Sequence, residues 1–211
     1  PDTLHAAIVA RIDRLTEDTR QALQMAAVIG RRFELDLLRS LAQAEAQIDS
    51  WLAQLERSGL IRTSGAAAGA SYAFPDALVQ EVAYESLLVQ RRQQFHARIG
   101  ETLESLFAGR LEEGCPLLAY HFGHSGDTER AIRYLEMAGR RAQAEFANET
   151  ALAHYSRLLE LLGQQEAGWS HRADILARRQ HILGQLSRQE ARQADLLELR
   201  ALAEAHGDEA R

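Results

Sequence analysis

The sequence contains no lysine; all 24 of its basic residues are arginine. A phosphate-cradling GxxxxGK[ST] loop needs that lysine, so no ordinary P-loop nucleotide site is encoded here. Cys115 is the single cysteine among 211 residues. An internal disulfide is therefore impossible, and a thiolate metal cluster within one chain is excluded. Only three prolines and 6% aromatic residues punctuate the chain. No apolar run approaches the roughly 20 residues that cross a bilayer, and no charged-then-apolar signal segment opens it. A cytoplasmic origin fits. The GxSxG elbow and the HExxH pair are both missing, and no nucleophile, base and metal set converges, so the chain reads as non-enzymatic. Its first residue is Pro1, which suggests a piece of a longer protein.

What is present is ordinary for a globular protein: 46% hydrophobic and 26% charged residues, with a net charge of −6. An acidic chain binds duplex DNA only through a local basic patch. Periodicity places the elements. Leu4, Ile8, Ile12 and Leu15 form one helical stripe. Thr16 suits the N-cap of the next helix, which runs through Leu23, Ala26 and Ala27 to Gly30. A short helix over Glu34–Ala42 follows, then a fourth carrying Ile48, Leu52 and Leu55 and ending at Gly59, a glycine fit for the left-handed C′ position. "LIRTSGAAAGASYAF" reads as strand, turn, strand, with Ile61 and Tyr72 on the ribbon. This element order is that of a winged helix.

Beyond Pro75 the chain reads as helical to its end. Leu78, Val82 and Leu88 share one helix, and Phe95, Ile99, Leu103 and Leu106 continue the pattern. "AGRLEEGCP" (Ala108 to Pro116) is a break, and later breaks fall at His124 to Asp127, Ala147 and Asn148, Gly163 to Gly168, and Ser187. "AIRYLEMA" from Ala131 and "ALAHYSRLLEL" from Ala151 echo each other, with small residues beside Tyr134 and Tyr155. The pattern is that of a degenerate tetratricopeptide-like array without a clean 34-residue period. A further pair would use Leu176, Leu183 and Leu186 against Ala194, Leu197 and Ala201. The expected fold is mainly α: a winged-helix module over 1–92 with a small β-hairpin wing, a connecting helix over 93–114, and tetratricopeptide-like repeats over 115–211.

Candidate chemistry is sparse. His121, His124 and Asp127 have metal-compatible spacing, but Asp127 suits an N-cap in an inter-helix turn and no metal site is assigned. His96 reads as a structural histidine, and Glu81 with Glu85 as a solvated pair. Arg91, Arg92, Arg98, Arg140 and Arg141 are interspersed with Glu101, Glu104, Glu112 and Glu113, a mixed surface rather than a basic patch. The helix Ile48 to Leu60 would be the recognition helix of a DNA binder, yet it carries Asp49 and Glu56 against Arg57. A DNA-binding winged-helix regulator is the alternative reading. If tetratricopeptide-like hairpins start at about Leu117, Ala147 and Arg172, their groove would offer His124, His154 and Arg157 to a protein or peptide partner.

"PDTLHAAIVARIDRLTEDTRQALQMAAVIGRRFELDLL" and "YAFPDALVQEVAYESLLVQRRQQFHARIGETLE" resemble the region that follows the ATPase module in bacterial signal-transduction ATPases with numerous domains. The resemblance is nearest in style to regulators that couple such an ATPase to a class III adenylate/guanylate cyclase domain. It is more distant from maltose-type and LuxR-type regulators. It runs from about Pro1 to Leu162, and "LLAYHFGHSGDTERAIRYLEMAGRRA" is similar to the family's first array hairpin. It implies a winged helix that closes over an upstream ATPase module, and an array that senses or docks a partner. ATP or ADP with magnesium belongs to that upstream module, and no cofactor to this chain. The family has Phe-x-His at the ribbon-to-helix joint, whose histidine helps hold ADP; here the triplet is Phe74-Pro75-Asp76. An ionised carboxylate repels phosphate, and Asp76 is instead well placed to cap the following helix.

Overall fold

A computed structural model describes residues 2–42, 45–64, 71–163 and 168–206. The described chain is mainly α, with eleven helices and one three-stranded antiparallel sheet. It divides into two compact units. One comprises the residues up to Leu106 with His124–Gly126; the other comprises Phe107–Gly123 and the residues from Asp127 onward.

The first unit runs α1 (Asp2–Asp13), α2 (Glu17–Ile29), β1 (Arg32–Glu34), α3 (Leu35–Leu41), α4 (Glu45–Arg57), β2 (Arg62–Thr63), β3 (Ser71–Ala73), α5 (Ala77–Glu85) and α6 (Val89–Leu106). The Thr16 hydroxyl accepts from the Thr19 amide and caps α2. Ile8 and Ile12 are buried as their stripe requires, whereas Leu4 is exposed. Leu23, Leu38, Ile48, Leu52, Leu55 and Ile99 fill the core. Gly59 has φ +65°, and the amides of Gly59 and Leu60 bond back to Glu56 and Leu55, which closes α4 with a Schellman turn.

The expected two-stranded ribbon is a three-stranded sheet of order β1-β3-β2. β1 is three residues long and runs straight into α3, too short to show a period of two. Pairing makes it a strand: Phe33 stands opposite Tyr72, and their rings stack at 5.8 Å. Ile61 is buried just before β2, and the ribbon's turn over 65–70 lies outside the described residues.

The single helix expected through Leu78, Val82 and Leu88 is two helices. α5 ends at Glu85, and Leu88 stands 81% exposed before α6. Arg92 donates to the carbonyls of Leu87 and Glu85, and the Ser86 hydroxyl donates to Ala83. These bonds satisfy the last carbonyls of α5 in place of a continuing helix.

The second unit contains most of α7 (Leu111–Ser125) and all of α8 (Thr128–Ala144), α9 (Asn148–Leu162), α10 (Trp169–Gln185) and α11 (Gln189–His206). The break expected over Ala108 to Pro116 is confined to residues 107–110, and Pro116 lies inside α7. Proline has no N–H, so the Glu112 carbonyl loses its helical donor. The Cys115 thiol at 3.1 Å and Arg141 Nη1 at 2.8 Å donate to that oxygen instead. Arg141 also donates to the Glu113 carbonyl at 2.9 Å.

α8 packs chiefly on α9, α10 on α11, and α9 on α10. The hairpins are thus α8/α9 and α10/α11, so their first helices are α8 and α10. The expected start at Leu117 lies inside α7, which meets α8 through Arg141 and the Phe122–Tyr134 stack, and that at Ala147 precedes α9, which packs on both α8 and α10; the two echoing segments are partners within one hairpin. Thr128 to Trp169, Phe146 to Ser187 and Asn148 to Gln189 are each 41 residues apart, which is the structural repeat. Within α8/α9 the small residues do what their type allows: a Cβ on Gly139 would meet the Tyr155 ring at 2.5 Å. Tyr134 and Tyr155 are both fully buried.

One repeat later the seam changes character. Arg179 stands where Ala138 does and Asp195 where His154 does. Arg179 Nε donates to Asp195 Oδ2 at 2.8 Å, its Nη2 to Oδ1, and its Nη1 to Ser156 at 3.2 Å. Leu176 and Leu183 are buried as expected, but Ala194, Leu197 (64% exposed) and Ala201 face outward. Asp195 sets the rotation of α11, and the Ala/Leu stripe begins one residue, about 100°, away from it.

Both hairpin turns end their first helix on a non-glycine residue in the left-handed region: Phe146 at φ 58° and Ser187 at φ 57°. In the first, the Phe146 amide bonds to Gln143 and the Ala147 amide to Ala142, a Schellman turn with phenylalanine where glycine is favoured. Phe146→Gly is expected to raise stability by about 0.5 kcal/mol, the relief of the left-handed strain minus the entropy glycine adds to the unfolded chain; chemical denaturation measures it, and a lower midpoint contradicts it. At the other joint the Val79 amide donates to Asp76 Oδ1 at 2.9 Å. Asp76→Ala is expected to lose about 1 kcal/mol and Asp76→Asn only a few tenths. Equal melts for wild type and Asp76→Ala refute the cap.

Candidate functional site

α8 presents two different stripes. Ala131, Tyr134, Leu135, Ala138 and Ala142 are buried, while Arg133, Glu136, Met137, Arg140, Arg141 and Ala144 recur at helical spacing along another face. With Glu112 and Glu113 from the first turn of α7, and Glu145 just past α8, this second stripe lines a groove of about 790 Å³. The Arg141 bonds to the Glu112 and Glu113 carbonyls hold the α7 side of the groove against the α8 side.

Most charges in the groove are paired. Arg140 bonds Glu136, and Arg141 Nε reaches Glu145 at 2.8 Å. His171 on α10 lies 2.9 Å from the other Glu136 oxygen. Glu113 pairs with Arg110 at 3.4 Å, both side chains well exposed, so that pair is weak. Two groups have no charged partner among the described residues. The Glu112 carboxylate makes no hydrogen bond or ion pair, and the Arg133 guanidinium only covers the Tyr134 ring at 5.4 Å. Nearby, the Tyr155 hydroxyl donates to Gln143 at 3.0 Å, and burial raises its pKa.

The residues singled out from the sequence lie elsewhere. Asp76 caps α5. His124, in the last turn of α7, stacks on the buried His96 at 5.0 Å, and His96 bonds the Tyr84 hydroxyl at 3.2 Å. Arg157 is exposed and bonds Glu160 at 2.6 Å, while His154 is half-buried on α9. None of the four lines the groove. Asp127 caps α8 through the Arg130 amide at 3.0 Å. Among the described residues no group of three His, Cys, Asp or Glu side chains could hold a metal ion, and no helix is long and apolar enough to cross a membrane.

The arginines considered as a patch are mostly engaged by the fold. Arg92 lies over Tyr84, Arg91 over Phe95, and Arg98 donates to the Leu41 carbonyl. On α4, Asp49 pairs with Arg39 at 2.9 Å and Glu56 accepts from the Thr63 hydroxyl. Of the groove residues, Arg140, Arg141, Glu112 and Glu113 read from the sequence only as mixed surface, and Arg133, Glu136 and Met137 carry no motif. The available signal was the charged stripe of α8, lying apart from its alanine stripe.

No family model and no curated protein matches the chain. Among solved structures it is similar to a signal-transduction ATPase with numerous domains (STAND) protein with a tetratricopeptide repeat sensor from Pyrococcus horikoshii, at 15% sequence identity and a TM-score of 0.47. The match covers 93% of this chain and 33% of the archaeal one, so the chain spans about a third of that protein's length.

Burial lowers the His154 pKa from its ordinary 6.5. The neutral ring is therefore favoured in the folded state, and the unfolded chain takes up the proton first as pH falls. The contribution of His154 to stability is full above about pH 6.5 and declines below it, down through the folded pKa. His154→Gln is expected to flatten the stability–pH profile in that window. An unchanged slope in denaturation midpoints between pH 7 and pH 5 contradicts the assignment.

Proposed function

We propose that the chain is a non-catalytic relay region of a STAND-type signalling ATPase, in which a winged-helix module over 1–92 packs on an upstream nucleotide-binding module. Residues 93–114 connect it to a helical array over 115–211 that docks a protein segment. The single observation that carries the docking reading is the α7/α8 groove. It is open, lined by charged side chains around Met137, and lacks the converging nucleophile and base of an active site.

The winged-helix reading is supported by the succession α2, β1, α3, α4, β2, β3 with central strand β3. The ATPase association is supported by the sequence resemblance around Ala26–Phe33 and Phe74–Leu88. Coupling to a cyclase domain rests on the same resemblance, and the nucleotide and its magnesium belong to the upstream module. DNA recognition through α4 is disfavoured because Asp49 and Glu56 lie on that helix with Arg57 as its only cation.

The chain alone is expected neither to bind Mg-ATP at micromolar concentration nor to retain duplex DNA at physiological salt. Calorimetry and electrophoretic mobility shift test the two statements. Saturable nucleotide binding refutes the first, and a steeply salt-dependent shift with arbitrary duplex refutes the second.

A further inference from the structure

The α7/α8 groove is electrically polarised, and its polarity selects an occupant. Its internal ion pairs, Arg140 with Glu136 and Arg141 with Glu145, largely cancel. What remains is the Glu112 carboxylate, which has no charged partner among the described residues, beside Glu113 at one end, and the Arg133 guanidinium at the other. Along α8 and its C-terminal turn, Arg133 and the exposed Phe146 are thirteen residues apart, a rise of about 20 Å, with Glu112 and Glu113 held beside Arg141 within that span. An extended segment of about six residues covers that length.

The acidic end also carries an apolar feature. Phe146 follows Glu145 directly and is 85% exposed, held there by a left-handed backbone that glycine would adopt more easily. Ser187 occupies the equivalent position of the next hairpin. The Phe146 ring is therefore available beside the acidic end as an apolar contact for an incoming side chain. Met137 supplies apolar surface midway along the groove.

We infer that the groove takes an extended protein segment of about six residues with a basic and an adjacent apolar side chain at one end and an acidic side chain at the other. The basic group sits at Glu112 and Glu113, the apolar one against Phe146, and the acidic one at Arg133. This rests on the docking reading above and specifies its partner by charge order.

The probes are three pools of end-capped, fluorescein-labelled hexapeptides with leucine second and the middle randomised. One has lysine first and glutamate last; the others have glutamate at both ends or lysine at both ends. Fluorescence polarisation on the whole chain is expected to show the mixed pool binding best, by about threefold for each charge replaced. Glu112→Lys is expected to switch the preference to the all-glutamate pool, and Arg133→Glu to the all-lysine pool. Both positions are exposed on helices, and thermal melts verify that the variants fold. Equal binding of the three pools, or variants that keep the wild-type order, overturns the charge-order inference and leaves the docking reading standing. Failure of every pool to bind overturns both.

Discussion

Arg141 is the contact on which the second unit depends. Pro116 opens a gap in the hydrogen bonding of α7 by removing the donor to Glu112, and the Arg141 guanidinium fills it from α8 while also reaching Glu113. One side chain thereby completes the first turns of one helix and fixes them against the next. The same side chain bonds Glu145, so the clamp also orders the end of α8 where the chain turns at Phe146. Arg141 holds this junction through the Glu112 and Glu113 carbonyls rather than through their carboxylates, and the Glu112 carboxylate has no charged partner among the described residues.

The two hairpins meet the requirement of close helix packing in different ways. In α8/α9, Gly139, Ala131, Ala138 and Ala151 let the backbones approach, and Tyr155 occupies the space that a Cβ on Gly139 would take. In α10/α11 a two-point Arg179–Asp195 pair stands at the matching positions, with Arg172 bonded to Glu198 and to the Leu159 carbonyl. An apolar seam tolerates small changes in spacing, whereas a buried ion pair fixes one geometry and becomes strongly unfavourable if one partner is lost. The array therefore joins a small-residue, tyrosine-filled helix pair next to the groove with an ion-paired one beyond it.

Much of the fold was legible because it follows from local chemistry. Thr16, Asp76 and Asp127 cap helices with their own carboxylates or hydroxyls, Gly59 ends α4, and Tyr134 and Tyr155 are buried where their helical spacing put them. What was not legible depends on partners distant in sequence. β1 is a strand only because β3 lies beside it. Pro116 does not end α7 because Arg141, 25 residues on, supplies the missing donor. The Ala194–Leu197–Ala201 stripe faces outward because Asp195 is claimed by Arg179. The groove was hidden for the same reason: Arg133 and Glu112 stand out only once the neighbouring charges are seen to be paired.

On the proposed reading, a protein segment docks along α8 and the first turn of α7. Hydrogen–deuterium exchange of the whole chain, with and without the mixed-charge hexapeptide pool, tests it most directly. Docking there slows exchange at residues 111–114 and 133–147 and leaves α4 unchanged. Slowing centred on 48–60, or the absence of slowing anywhere at saturating peptide, would contradict it.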